Sequence, residues 1–254
     1  MKKFGLIGQS LKHSFSKEFF NEKFHRENIS ARYDNYELEN LSLFKSIFSD
    51  NDLCGLNVTI PFKEKIINYL DDLDPISKKI GAVNTILPTY SNKKLWSLKG
   101  FNTDAYGFHQ LIKPFLKSHH NLGLILGDGG ASKAVSYVLD SLNINYNIIT
   151  RKNTSDIHQK FNWNDINSYM VKYHLIIINT TPIGMYPNSI DKIDFPYEFI
   201  TQEHLIIDLI YNPSITQFLQ KASSQNAQIL NGYQMLVHQA LKAWNIWNFS
   251  TNIK

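Results

Sequence analysis

Apolar positions along the chain switch between two periods, and each switch marks a change of element. Residues 4–8 form a short apolar run that predicts a strand. Phe19, Phe20 and Phe24 then fall on one side of a helix, with Ser16 as its expected N-cap. Residues 32–38 predict a second strand, and Leu41, Leu43, Phe44, Ile47 and Phe48 predict a helix over 41–48. Residues 55–63 predict a strand that turns directly into a helix. Ile60, preceding a proline, is biased to extended geometry, and Pro61 suits a first helical position. Asp74-Pro75 opens a further helix, which Gly81 closes. Residues 83–88 and 95–101 predict two strands around the polar turn 90–94.

Residues 102–115 predict a connecting helix and 117–121 a polar linker, after which the rhythm restarts. A strand over 122–126 precedes a helical stripe of Ala131, Ala134, Val135, Val138, Leu139 and Leu142. Strands follow over 146–150, 174–179 and 204–210. A last helix runs from 233 to about 247, with Trp244 and Trp247 expected in the core. Two successive strand–helix alternations predict an α/β protein of two domains.

Composition narrows the partners. The net charge is +4 and the basic residues are scattered, without the stripe that nucleic-acid binding needs. Cys54 is the single cysteine, which excludes an internal disulfide and a cysteine-based zinc site. The histidines lack the helical i, i+4 spacing of a metal site, so no metal is expected. The N-terminal apolar run is too short for a signal-peptide core, and no aliphatic run could span a bilayer. A cytoplasmic setting without membrane association is the expectation.

Four stretches could carry chemistry. Asn57, Thr59 and Lys63 are polar groups at and just beyond the carboxyl end of a strand, where α/β folds bind ligands. Lys63 is expected in a first helical turn, where the positive end of the macrodipole disfavours an ammonium. Gly127, Asp128, Gly129, Gly130 and Ala131 form a glycine-rich turn between a strand and a helix, the context of a dinucleotide-binding fingerprint. Ser132 stands where a third small residue would let helix and strand pack closely. At the end of the next strand Thr150, Arg151 and Lys152 replace the acid that would bind a ribose 2′-hydroxyl. The first acid is Asp156, so the 2′-phosphate of NADP is favoured. In the string His13-Ser14-Phe15-Ser16, the hydroxyls of Ser14 and Ser16 lie just before a helix and could serve a carboxylate, or Ser16 could simply cap it. On spacing alone, Asn84, Asn102 and Asp104 are turn and cap residues.

Taken in order, these motifs resemble the shikimate dehydrogenase family over essentially the whole length. The resemblance is carried by Ser14-Phe-Ser16, Asn57-Val-Thr59-Ile-Pro-Phe-Lys63, Gly81-Ala-Val-Asn84-Thr and Gly100-Phe-Asn102-Thr-Asp104. It continues in Gly127-Asp-Gly129-Gly130-Ala131-Ser132, Asn179-Thr-Thr-Pro-Ile-Gly184-Met185, Asp208-Leu-Ile-Tyr211-Asn-Pro and Asn231-Gly232-Tyr-Gln-Met235-Leu-Val-His-Gln239-Ala. It implies an N-terminal α/β substrate domain over 1–101, completed by a C-terminal helix over 233–254. A Rossmann-type NADP domain over 102–232 would follow, with a cleft between the two. It further implies that Ser14 and Ser16 hold a substrate carboxylate and that Lys63, Asn84, Asp104 and Gln239 contact ring hydroxyls. Asn57, Thr59 and Tyr211 would complete the pocket. Lys63 and Asp104 would be the catalytic pair. Gly127–Ala131 and Thr150, Arg151 and Lys152 would hold the dinucleotide, with Leu209 and Gly232 near the nicotinamide.

The implied activity is reversible NADPH-dependent reduction of 3-dehydroshikimate, in the pathway to aromatic amino acids, by a monomer or homodimer acting on a small molecule. Two departures stand out: Asp128 replaces a small residue in the glycine-rich turn, and Lys152 stands where the family often has threonine. Competing readings are a quinate/shikimate dehydrogenase using NAD and a catalytically silent nucleotide-binding relative.

Overall fold

The structure, a computed structural model, describes residues 1–11, 14–49, 52–152 and 159–249. His13, Asp156 and the end of the chain from 250 lie outside the described residues. The chain divides into two compact units, Met1–Tyr106 with His238–Lys254, and Gly107–Val237.

The first unit is built on a six-stranded sheet. Its strands are β1 (Lys2–Gly8), β2 (Ala31–Glu37), β3 (Leu53–Val58), β4 (Asp72–Leu73), β5 (Thr85–Ser91) and β6 (Lys94–Phe101). They lie in the order β2-β1-β3-β5-β6-β4, and β5 runs antiparallel to both of its neighbours. The helices are α1 (Phe15–Arg26) and α2 (Pro75–Ile80), and α3 (Asp104–Ile112) begins here. Asp74 caps α2 through the N–H groups of Ile76 and Ser77, and Gly81 ends it in the left-handed conformation at φ 70°.

One face of the sheet buries Ile7, Phe44, Leu56, Ile66, Val83 and Ile86. The other buries Phe4, Phe20, Phe24, Tyr33 and Trp247. Trp247 comes from the last helix, α7 (Tyr233–Phe249), and its indole N–H donates to the Ile86 carbonyl at 3.1 Å. Its ring lies on Gly55, where an added Cβ would meet indole atoms at 2.4–2.5 Å. The tryptophan belongs to the core, as its apolar spacing suggests.

Two sequence expectations fail in this unit. Residues 60–64 form turns rather than the start of an α-helix, and only a 3₁₀ segment follows, over Lys65–Tyr69. The chain must reach β4 at Asp72, so there is room for short i→i+3 bonds such as Leu70 N–H to the Ile67 carbonyl at 3.2 Å. Phe62 and Ile66 anchor this segment in the core. Residues 41–48 likewise form a 3₁₀ helix, Leu41–Phe48, not an α-helix. Its buried residues Leu41, Phe44 and Phe48 still supply the predicted apolar side.

The second unit carries β7 (Leu122–Leu126), β8 (Asn145–Thr150), β9 (Lys160–Asn162), β10 (Ile176–Asn179), β11 (Leu205–Asp208) and β12 (Gln228–Asn231). All pairs are parallel, in the order β12-β11-β10-β7-β8-β9. Successive strands run outward from β7 on one side and from β10 on the other. The chain order therefore reverses between β7 and β10, and this is the doubly wound topology whose switch point binds dinucleotides. Its helices include α4 (Gly130–Ser141), α5 (Ser168–Tyr173) and α6 (Gln217–Ser223). The near-continuous isoleucines of β10 and β11 are fully buried, as strands covered on both faces must be. Neither α6 nor β12 was legible in the sequence.

Candidate active site

Lys63 sits just past the carboxyl end of β3, between two anchors. Its carbonyl accepts the Val83 N–H at 2.8 Å, and the neighbouring Phe62 is buried. It does not occupy a first helical turn, contrary to the sequence expectation, so no helix of its own acts on it. Its partner is Asp104, the first residue of α3, with Lys63 Nζ 2.7 Å from Asp104 Oδ2. Asp104 is 2% exposed, and its other oxygen accepts from Asn84 Nδ2 at 2.9 Å. A buried carboxylate is stable only with such complete pairing.

Asn84 is the hub. Its Nδ2 also donates to Gln239 Oε1 at 3.2 Å, and its Oδ1 accepts from the Thr103 N–H at 2.7 Å. The hydroxyls of Thr85 and Thr103 both lie 3.1 Å from the same oxygen. The amide is thus fixed in orientation, and Lys63, Asn84, Asp104 and Gln239 are brought together within the first unit. Asn102, expected as a cap residue, accepts the Ala105 N–H at 3.1 Å and so opens α3 with Asp104 in place.

Asn57 is bonded away. Its Nδ2 donates to the Asn84 carbonyl and the Thr85 hydroxyl, both at 3.1 Å, and its Oδ1 accepts from Tyr33 Oη at 2.8 Å. Both amide hydrogens are therefore spent on the fold. Tyr33 is fully buried and stacked on Phe20 at 4.8 Å. Burial pushes its phenol well above the usual range against an opposing hydrogen bond with Ser16. A chain of hydrogen bonds thus runs from Ser16 through Tyr33 and Asn57 to the backbone of Asn84. Thr59, half-buried at the end of β3, donates its N–H to the Ile7 carbonyl at 2.9 Å.

The helix cap differs from the expectation. Ser14, in extended geometry, is the N-cap of α1, and its hydroxyl accepts the Lys17 N–H at 3.2 Å. Ser16 is the second residue of the helix and not its cap, which frees its hydroxyl for Tyr33. Sequence reading missed Tyr33, Thr85 and Thr103. The threonines sit in the Asn84-Thr and Asn102-Thr-Asp104 strings, but nothing in their spacing shows that both aim at one amide oxygen.

In the second unit, Gly127 ends β7 at φ 107°, a conformation that favours glycine. A Cβ there would meet Thr180 Oγ1 at 2.8 Å and Thr181 Cγ2 at 2.9 Å, at the end of β10 across the switch point. Gly129 caps α4 with no side-chain hydrogen bond, and an added Cβ at Gly129 would meet nothing within 4 Å. The first turn, with Gly130 and Ala131, therefore offers backbone N–H groups to open space, which fits a pyrophosphate. Ser132 is buried where close helix packing requires a small side chain. Thr150 is buried at the end of β8, and Arg151 and Lys152 are exposed beside it. That donor set fits a 2′-phosphate.

Asp128 points at cations, with Lys152 Nζ at 3.0 Å and Lys160 Nζ at 3.8 Å. Leu209 donates its N–H to the Asn179 carbonyl at 3.0 Å, and a Cβ on Gly232 would fall 2.0 Å from the Leu209 carbonyl oxygen. Only glycine fits against that backbone. Asp208, just before it, is fully buried and accepts from Thr216 Oγ1 at 2.6 Å, Asn179 Nδ2 at 3.0 Å and the Ile210 N–H at 3.0 Å. Burial pushes its pKa up to about 6 against those three hydrogen bonds. Tyr211 follows on the same segment, half-buried.

Among the described residues no group of histidine, cysteine and acids could hold a metal ion, and no helix is long and apolar enough to cross a membrane. His120 is buried in structural bonds, to the Lys117 N–H at 3.0 Å and the Glu203 carbonyl at 3.1 Å.

A doubly wound sheet with an open glycine-rich turn, joined in one chain to an α/β unit holding a lysine–carboxylate pair, defines a dinucleotide-dependent oxidoreductase. The family model for the shikimate dehydrogenase substrate-binding domain matches residues 6–86. A shikimate dehydrogenase (NADP(+)) of Clostridium beijerinckii is 37% identical over 97% of this chain and 92% of its own length. A crystal structure of shikimate dehydrogenase 1 from Peptoclostridium difficile superposes with a TM-score of 0.80, at 37% identity over 97% of this chain and 91% of that one. One from Thermus thermophilus, in complex with NADP(H) and shikimate, gives a TM-score of 0.84. Its identity is 25%, covering 98% of this chain and 94% of that one. The chain belongs to the shikimate dehydrogenase family.

Proposed function

We propose that this protein reduces 3-dehydroshikimate to shikimate with NADPH, reversibly, in the cytoplasm and as a monomer or homodimer. The observation that carries the reading is the Lys63–Asp104 pair at 2.7 Å, with Asn84 and Gln239 converging on it. NADPH, when bound, supplies a hydride to the C3 carbonyl carbon. The electron pair of that carbonyl then moves onto oxygen, which must take up one proton.

Lys63 is the group proposed to deliver that proton from Nζ, and to remove it in the reverse direction. Asp104 holds the ammonium in one place, and Asn84 holds Asp104, so the donor is oriented before substrate arrives. Gln239 also offers its amide to a neighbouring ring hydroxyl, and Asn84, whose Nδ2 hydrogens go to Asp104 Oδ1 and Gln239 Oε1, is proposed to reach one by giving up the 3.2 Å bond to Gln239. Ser14 and Ser16, at the start of α1, are proposed for the substrate carboxylate, together with the N–H groups of the first helical turn. Asn57 supports the pocket wall, and Thr59 and Tyr211 complete the set. The turn 127–131 is proposed for the pyrophosphate, Thr150, Arg151 and Lys152 for the 2′-phosphate, and Leu209 and Gly232 for the nicotinamide.

The test is NADPH oxidation on adding 3-dehydroshikimate, repeated with NADH. Turnover with NADPH and much weaker turnover with NADH is the expected result. No turnover with either cofactor overturns the reading.

A further inference from the structure

The glycine-rich turn carries an acid where the family resemblance calls for a small residue, and that acid joins three elements. Asp128 follows β7, Lys152 follows β8, and Lys160 opens β9. The Asp128 carboxylate is 18% exposed and lies 3.0 Å from Lys152 Nζ and 3.8 Å from Lys160 Nζ. Burial raises its pKa, but the neighbouring Lys152 and Lys160 cations and the Thr150 hydroxyl outweigh that and hold it below the usual value. The carboxylate is therefore ionised at neutral pH. Lys160 carries no motif of its own in the sequence; only the pairing of β9 with β8 brings it here.

We propose that Asp128 is a counter-charge at the 2′-phosphate seat, with Lys160 as a further cation of that seat, so that Asp128 weakens the preference for NADP over NAD. The inference rests on the assignment of Thr150, Arg151 and Lys152 to the 2′-phosphate. Two effects of the carboxylate oppose each other. It pre-orients the lysines, and it competes with the phosphate for them. Lys152 is 74% exposed, and an ion pair on so exposed a side chain is weak, so pre-orientation contributes little. Competition is larger. Arg151, Lys152 and Lys160 supply three positive charges and Asp128 removes one, leaving two for a dianionic phosphate. Groups within about 8–10 Å of one another feel each other through physiological salt. The phosphate must share both lysines with the carboxylate, whereas a dinucleotide without that phosphate meets the Asp128 charge only at its pyrophosphate and makes no demand on the lysines of the seat.

Calorimetric titration of the full chain with adenosine 2′,5′-bisphosphate and with adenosine 5′-monophosphate tests this without turnover. The parent should prefer the bisphosphate. Asp128→Asn should tighten the bisphosphate by about threefold or more and steepen its salt dependence, with the monophosphate tightened by a smaller factor. Asp128→Ala should move it in the same direction, and Lys160→Gln should weaken the bisphosphate alone. Unchanged or weaker bisphosphate binding in both Asp128 variants overturns the inference. So does a loss of monophosphate binding in Asp128→Asn, which would make the carboxylate a ribose ligand. A parent that binds the two probes equally removes the 2′-phosphate assignment, and the inference falls with it.

Discussion

Asn84 Nδ2 lies 2.9 Å from Asp104 Oδ1, so the carboxylate that pairs with Lys63 is held on its other oxygen by a neutral amide. The amide is itself fixed by Thr85, Thr103 and Gln239. The geometry of the ion pair therefore depends on residues that carry no charge.

Replacing Asn84 by alanine leaves Asp104 Oδ1 and the Thr103 N–H without partners in a buried place. Loss of orientation should lower kcat/KM by about tenfold or more, and the unsatisfied groups should cost about 1–3 kcal/mol of stability. Steady-state kinetics and thermal melting of Asn84→Ala check both. An unchanged kcat/KM would show that Asp104 needs no such support.

Tyr33→Phe removes the donor to Asn57 Oδ1 while keeping the ring stacked on Phe20. The orphaned buried acceptor should cost about 1–3 kcal/mol. KM should rise more than kcat falls, because Ser16 loses its partner at the proposed carboxylate site. A variant matching the parent in melting temperature and KM would contradict the bridging role.

Gly55 is small because Trp247 covers it. Gly55→Ala should destabilise by about 1–3 kcal/mol through overpacking. Adding Trp247→Phe, which removes the clashing part of the indole, should recover part of that loss relative to Trp247→Phe alone. Strict additivity in such a double-mutant cycle would show that the two residues do not compete for the space.

Asp208 gives a pH dependence with a definite sign. Its pKa is about 6 in the folded protein against an ordinary 3.8, so the folded state binds the proton more tightly. The contribution is fully present below about pH 4 and is lost as pH rises through about 6. It is worth roughly 3 kcal/mol across that window. The melting temperature of the parent should fall relative to that of Asp208→Asn between pH 4 and 6. Parallel curves for the two proteins would contradict a raised pKa.

The parts of the fold that read directly from sequence are those where one residue decides a local conformation. Asp74 and Gly81 bound α2 because a carboxylate cap and a left-handed terminus have few substitutes. Residues 122–126 and the stripe after them gave β7 and α4 because apolar periodicity is unbroken there. Legibility failed where two local solutions were equally good. Either serine could cap α1, and the extended geometry at Ser14 decides between them.

The turn 60–64 was misread because Pro61 also suits a helix start, while the nearness of β4 is a tertiary constraint. In the site, Lys63 and Asp104 were recognised through family motifs rather than spacing. Tyr33 and Lys160 act through contacts between strands far apart in sequence, and Thr85 and Thr103 converge on the Asn84 amide oxygen from β5 and from the segment before α3; no local pattern encodes those meetings.

Lys63→Ala removes the group to which proton transfer is assigned while leaving Asp104, Asn84 and Gln239 in the chain. Single-turnover NADPH oxidation with 3-dehydroshikimate should slow by about a hundredfold or more, the range expected when a general acid is removed. Shikimate binding measured by titration should weaken by less than about tenfold, because the remaining pocket groups stay in place. A rate within about twofold of the parent, with intact binding, would contradict the assignment of proton transfer to Lys63.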